Sequence, residues 1–255
     1  MEQETMTRNK VFICGAGPGD PELITVKAMK LLKSCDVVFY DRLVSKEIID
    51  QIPSKSETIF VGRSVGDAST HQAYTNKLMV THANKGKRVL RLKGGDPFIF
   101  GRGAEEAEYL FKHNVKFEIV PGITSAIGSA AYAGIPLTHR RFSSSVAIVT
   151  GHEDPSKNEP SVNWSELAFA VDTVVVLMGI EQLSRIVGIL INSGMKKSTE
   201  IAIIENGTTR KQREITGNLG NIVRKAQSAK IEAPAIIIFG KVVSLHKKLA
   251  WFNRS

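Results

Sequence analysis

Two cysteines in 255 residues, Cys14 and Cys35, make neither a disulfide framework nor a metal site, because both lie within or beside apolar segments. A reducing, cytoplasmic compartment is therefore expected, and no metal ligands are assigned. Aromatic residues are also scarce, at 7%, and no run of basic and aromatic residues marks an RNA-binding surface. Nucleic acid is thus not expected as a partner. No apolar stretch approaches the roughly 20 residues of a membrane helix; residues 174–180 and 235–240 have the length of core strands. The opening MEQETMTRNK is polar and lacks an apolar h-region, so neither a secretion signal nor a membrane partner is expected. What remains is an ordinary globular composition, 42% hydrophobic and 23% charged, carrying a net charge of +9. With nucleic acid set aside, that charge suits a small polyanionic substrate.

Short β-rich runs alternate with helical patterns along the whole chain. Strands are predicted at 11–15, 36–40, 58–62, 88–92 and 116–120, with helices at 22–33, 71–85 and 104–113 between them. This alternation predicts a mostly parallel sheet with helices on its faces. A polar connection, GIPLTHRRFSSS, leads to a second βα series with strands at 146–150, 173–178, 200–205, 212–216 and 235–240. The expected organisation is two α/β domains, residues 1–140 and 141–255. The polar stretch 152–163 is long enough to act as a lid.

The loop after the first strand, GAGPGDPELIT, carries Gly15, Gly17 and Gly19 in a G-x-G-x-G spacing. A dinucleotide fingerprint needs G-x-G-x-x-G and an acidic residue about 20 positions on. Asp41 stands at a suitable distance, but the third glycine does not. Asp20 is a natural helix N-cap and Pro21 a natural first helical residue. With Glu22 they already satisfy the helix N-terminus and would repel a phosphate. The loop is built for close approach of a ligand without phosphate. A second strand-to-helix turn, RLKGGDPFIFGRG, places Gly94 and Gly95 where backbone and ligand can meet closely. Asp96, restricted by Pro97, is expected to aim its carboxylate outward. Phe98, Ile99 and Phe100 would wall an adenine or a macrocycle. Pro121 and Gly122 make a third turn, where Thr124 and Ser125 offer hydroxyls at a helix start. Met178-Gly179 and Asn206-Gly207 are further strand-end turns, the ligand-facing ends of open α/β sheets.

Taken in order, GAGPGDPELIT, YDRLVS, RLKGGDPFIFGRG, PGITSA, GIPLTHR, the Met178-Gly179 turn and ENGT resemble the uroporphyrinogen-III C-methyltransferases, from about Val11 to Lys241. The resemblance implies two α/β domains with the active site in the cleft between them, the tetrapyrrole methylase fold, and a homodimer. It implies methyl transfer from S-adenosylmethionine (SAM), with S-adenosylhomocysteine as product, to C2 and C7 of uroporphyrinogen III. The resulting precorrin-2 leads to sirohaem and cobalamin. By the family's pattern Pro18, Gly94, Gly95, Asp96, Ile99, Thr124, Ser125, Met178 and Gly207 contact SAM, and Asp41 is the proton acceptor. SAM is a sulfonium without phosphate, which removes the objection raised by Asp20 and Glu22. A substrate ringed with carboxylates gives the basic charge a use.

One position departs from the pattern. Where the family commonly has Lys as proposed proton donor, this chain has Arg63. Arg stays protonated at any working pH, but its fork pairs well with a carboxylate. Arg63 is thus expected to anchor a substrate carboxylate, as are His139 and Arg140. Three rivals have their own marks. A sister methyltransferase acting on a later corrin precursor would give a different product mass. A nucleic-acid-binding module would bind in a salt-dependent way without SAM, and a nicotinamide-linked oxidoreductase would bind NAD. The length leaves no room for dehydrogenase or ferrochelatase domains, so the later sirohaem steps are expected elsewhere.

Overall fold

The computed structural model describes residues 9–62, 70–152 and 162–252. The chain divides into two compact units, Met1–Thr124 and Ser125–Ser255. Arg63 and most of the stretch 152–163 lie outside the described residues.

In the first unit, β1 (Lys10–Gly15), β2 (Val37–Tyr40), β3 (Glu57–Phe60), β4 (Arg88–Lys93) and β5 (Lys116–Val120) form one sheet in the order β3-β2-β4-β1-β5. Every pairing is parallel, as the βα alternation predicts. Successive residues of β1 serve opposite faces. Phe12 and Cys14 pack with Leu31, Leu32, Val38 and Leu92, whereas Val11 and Ile13 pack with Phe39, Met79, Val89 and Leu110. A strand covered on both faces has to be apolar throughout, which is why KVFICG shows no alternation. The predicted helix at 22–33 is divided. Asp20 caps a single 3-10 turn, Pro21–Leu23, its side chain accepting from the Glu22 N–H. Thr25 is extended, and its hydroxyl caps the following helix Val26–Leu32.

The second unit is not a second parallel sheet. β6 (Val146–Thr150) and β7 (Thr173–Leu177) are parallel. β10 (Ala235–Phe239) lies antiparallel between β7 and β8 (Glu200–Glu205), and β8 pairs antiparallel with β9 (Arg213–Asn218). The order is β6-β7-β10-β8-β9. The connection 206–212 is too short for the crossover that a parallel β8–β9 pair would need, so the two strands turn back on each other.

The unit boundary falls at 124/125, earlier than the 140/141 expected from the sequence. The reason is packing. In and just after helix Ser125–Tyr132, Ala126, Ala130 and Ala133 join Val175, Ile236 and Ile238 in one core cluster. The small-residue helix therefore belongs to the second sheet.

Candidate functional site

Three strand ends of the first sheet interlock through glycine. Gly17 and Gly95 continue the β1–β4 association beyond the strands, the Gly95 N–H donating to the Gly17 carbonyl at 2.7 Å and the Gly17 N–H to the Gly95 carbonyl at 3.2 Å. β5 closes in from the other side of β1. A Cβ on Gly122 would stand 2.4 Å from the Gly95 carbonyl oxygen and 2.7 Å from Cα of Gly15, so no side chain fits at this junction. Gly95 itself has φ 67°, the left-handed region that glycine enters without strain. Asp96 ties the junction together. One of its oxygens accepts from the Gly122 N–H at 3.0 Å and the other from the Phe98 N–H at 2.8 Å. The expected outward aim of this carboxylate is thus corrected: two backbone donors hold it over the junction. Pro18 is half-buried in the first of these loops, Ile99 is exposed on the second, and Thr124 is buried just after the third.

Asp41 follows β2 on the same side of the sheet. Its Oδ1 accepts from the Leu43 N–H at 3.3 Å and the Gly94 N–H at 3.4 Å, while Oδ2 faces Arg91 Nη2 at 3.4 Å. These are long bonds. They fix the carboxylate without using its full accepting capacity. Asp41 is not a helix cap; the next helix, Lys46–Ile49, takes Ser45 in that place.

Behind Asp41 lies a buried charge cluster. Glu106 Oε1 accepts from Arg91 Nε at 3.0 Å, Lys93 Nζ at 3.1 Å and Gln72 Nε2 at 3.0 Å. Burial would raise the Glu106 carboxyl, but Arg91 and Lys93 together hold it below the usual carboxylate range. Burial pushes the Lys93 ammonium down, Arg91 adds to this, and Glu106 and Asp41 oppose it. Arg91 therefore bridges the deeply buried Glu106 and the half-exposed Asp41. The cysteines take no part in such chemistry. Burial pushes the Cys14 thiol up and the Cys35 thiol up to about 12, so both are protonated and inert at neutral pH.

In the second unit, Leu177 and Ile204 both pair with Ile236, so β7 and β8 end level with each other on either side of β10. Met178 and Gly207 thus leave the same end of the sheet. Met178 is exposed with φ 54°. Gly207 lies so close to helix Ser125–Tyr132 that an added Cβ would stand 2.1 Å from Ser129 Oγ. Ser125 opens that helix.

His139 and Arg140 are not brought to this end. The His139–Ser143 turn leads into β6, and Ser143 Oγ bonds Thr173 Oγ1 at 2.8 Å, at the start of β7. His139 Nδ1 accepts from the Arg141 N–H at 3.2 Å, so a neutral ring carries its proton on Nε2. Arg140 is exposed.

The described residues can be tested against a sulfonium donor. Asp20 Oδ1 already accepts from the Glu22 N–H at 2.9 Å, filling the place an anion would take at that helix start. At the glycine junction and at Gly207 the space a side chain would take is filled by the protein's own backbone and by Ser129, so these glycines serve close packing of the loops. The Asp20 cap disfavours a pyrophosphate and is compatible with a sulfonium donor.

The family model for Tetrapyrrole (Corrin/Porphyrin) Methylases matches residues 10–223. The chain belongs to that family. A relative from Methanosarcina barkeri, an S-adenosyl-L-methionine-dependent uroporphyrinogen III methyltransferase, is 49% identical over 237 residues, covering 93% of each chain. A siroheme synthase from Pseudomonas putida is 48% identical over 247 residues, which cover 96% of this methylase but 53% of the synthase. This chain therefore spans about half the length of that relative. Among solved structures, the uroporphyrin-III C-methyl transferase of Thermus thermophilus complexed with S-adenyl homocysteine is similar, with a TM-score of 0.78 and 36% identity. The match covers 92% of this chain and 93% of that one.

Sequence reasoning passed over Arg91, Lys93, Glu106 and Gln212. For the first two a signal exists. Charges alternate with Leu90 and Leu92 in the strand RVLRLK, and a cation inside a two-sided core strand demands a buried anion. Nothing local points to Glu106 as that anion, since Glu105 and Glu108 beside it are exposed.

Proposed function

We propose that the chain transfers methyl groups from SAM to C2 and C7 of uroporphyrinogen III, forming precorrin-2 for sirohaem or cobalamin synthesis. The observation that carries this is the near full-length likeness to a SAM-dependent uroporphyrinogen III methyltransferase, 49% identical over 93% of each chain. When bound, SAM supplies an electrophilic methyl on a sulfonium. Pro18, Gly94, Gly95, Asp96, Ile99 and Thr124 in the first unit, and Ser125, Met178 and Gly207 in the second, are the residues assigned to donor contact. Alignment of donor methyl and nucleophilic carbon supplies most of the acceleration. A pyrrole carbon is nucleophilic enough to form the new C–C bond as the C–S bond breaks, and a proton then leaves the macrocycle. Asp41 takes it on a carboxylate oxygen. Arg63 holds a substrate carboxylate through its guanidinium fork, whereas His139 and Arg140, at the opposite end of the second sheet, take no part.

The reading includes a cytoplasmic location and a homodimer. Two buried reduced thiols support the former. Among the described residues no helix is long and apolar enough to cross a membrane.

Anaerobic incubation with SAM and uroporphyrinogen III, followed by mass measurement of the product, tests the reading. Two added methyl groups are expected; none, or methylation only of a later corrin precursor, would overturn it. Asp41→Asn keeps the shape and removes the base. Its kcat should fall by roughly 10²–10⁴-fold with little change in donor affinity, and a fully active variant would remove Asp41 from the chemistry.

A further inference from the structure

Gly207 sits between two residues that glycine would ordinarily replace. Asn206 has φ 49° and Thr208 has φ 67°. Asn tolerates the left-handed region, but for a β-branched Thr it is a genuine outlier. The turn also has little freedom to relax, because Gly207 lies against Ser129 and Asn206 N–H donates to the Pro234 carbonyl at 2.9 Å. Such a conformation persists only where its surroundings over-determine it.

Gln212 supplies much of that determination. Its Oε1 accepts from the Thr208 N–H at 2.6 Å, and both residues are buried. Its Nε2 is held in turn by Glu214 Oε1 on β9. The Gln212 N–H donates to the Thr209 carbonyl at 2.9 Å, which closes the loop on itself. One buried amide therefore connects the strained turn to a strand of the sheet. A turn braced in this way before its ligand arrives loses little entropy on binding.

We infer that Gln212 is a positioning residue for the methyl donor: it holds Thr208 in the left-handed conformation and so presents Gly207 in its binding shape. The inference rests on the reading that Gly207 contacts the donor.

Calorimetric binding of S-adenosylhomocysteine to the full chain tests it, with four proteins compared. Gln212→Met removes the brace at similar volume and should weaken binding at least tenfold. Thr208→Gly, which needs no brace at φ 67°, should bind within about threefold of the original chain. The double variant should recover most of the affinity lost in Gln212→Met, a rescue that a general loss of packing would not allow. Unchanged affinity in Gln212→Met, or a folded double variant as weak as Gln212→Met, would overturn the inference. Hydrogen exchange on the unaltered chain is a second measurement that does not depend on any variant folding. The Thr208 N–H should exchange as slowly as the amides of β8, and exchange at an unprotected rate would overturn the inference as well. Failure of the unaltered chain to bind S-adenosylhomocysteine would instead overturn the donor reading beneath it.

Discussion

The ends of the two sheets that carry the candidate site residues are shaped differently. The parallel sheet brings three loops together where Gly15, Gly95 and Gly122 leave only backbone at the contact. The mixed sheet places Met178, Asn206 and Thr208 at positive φ, as the loop after β4 does Phe100 and Arg102, and braces Thr208 with a buried side chain. The first arrangement costs conformational entropy, because glycine is free in the unfolded chain. The second stores strain in the native state and repays it with hydrogen bonds. The parallel sheet also buries charge behind its loops, in the cluster of Arg91, Lys93 and Glu106. Bare backbone shapes the contact surface, and the cluster fixes the Asp41 carboxylate beside it.

That contrast breaks most severely at Glu106. Glu106→Gln would leave Arg91 and Lys93 buried together with only the longer Asp41 contact as counter-charge, which should cost about 3–5 kcal/mol, read as a shift in the denaturant midpoint. The pH dependence carries a sign. Because the folded carboxyl lies below its unfolded value of about 4.3, its contribution is full above that pH. It is lost as pH falls through the folded value. The Gln variant should therefore be less stable at neutral pH yet lose less on acidification. An unchanged acid response would mean that Glu106 is not the ionised partner.

A smaller effect is expected at the glycine junction. Gly122→Ala would force a methyl into the Gly95 carbonyl, and backbone cannot move aside as a side chain can. A loss of about 1–3 kcal/mol is expected, together with weaker S-adenosylhomocysteine binding by calorimetry. Full affinity would show that the junction is packing alone.

The smallest effect runs the other way and sharpens the point. Gly188 lies within helix Leu183–Asn192, and a Cβ there would meet nothing within 4 Å. Gly188→Ala should stabilise the chain by about 0.5–1 kcal/mol, seen as a higher melting temperature with unchanged activity. Glycine is required where backbones touch and is merely tolerated here.

Much of the fold was legible in the chain, and the errors have physical causes. Strands such as Lys116–Val120 and Val146–Thr150 were placed correctly because short apolar runs bounded by turn residues leave few alternatives. The Asp20 cap was legible for the same local reason, since an Asn/Asp/Ser/Thr side chain before Pro can satisfy the first free N–H groups. The break at Thr25 was missed because a capping hydroxyl inside an apolar helical pattern does not disturb the period. The unit boundary at Thr124/Ser125 is not legible in the sequence, because SAIGSAAY has small residues on all sides and nothing in them says which sheet they cover.

The local vocabulary of the chain is written in its residues: which runs become strands, which turns need glycine, where a helix starts, and which family the motifs belong to. Each depends on residues within a turn or two of one another, where sterics and main-chain hydrogen bonding act without help. It takes the folded chain to put β10 between β7 and β8, and to bring Arg91 to both Glu106 and an Asp41 fifty positions away. Folding likewise sets Gly207 against Ser129. Such pairings depend on which surfaces can be buried together and which charges can be satisfied once water is excluded, and those conditions exist only after the chain has folded.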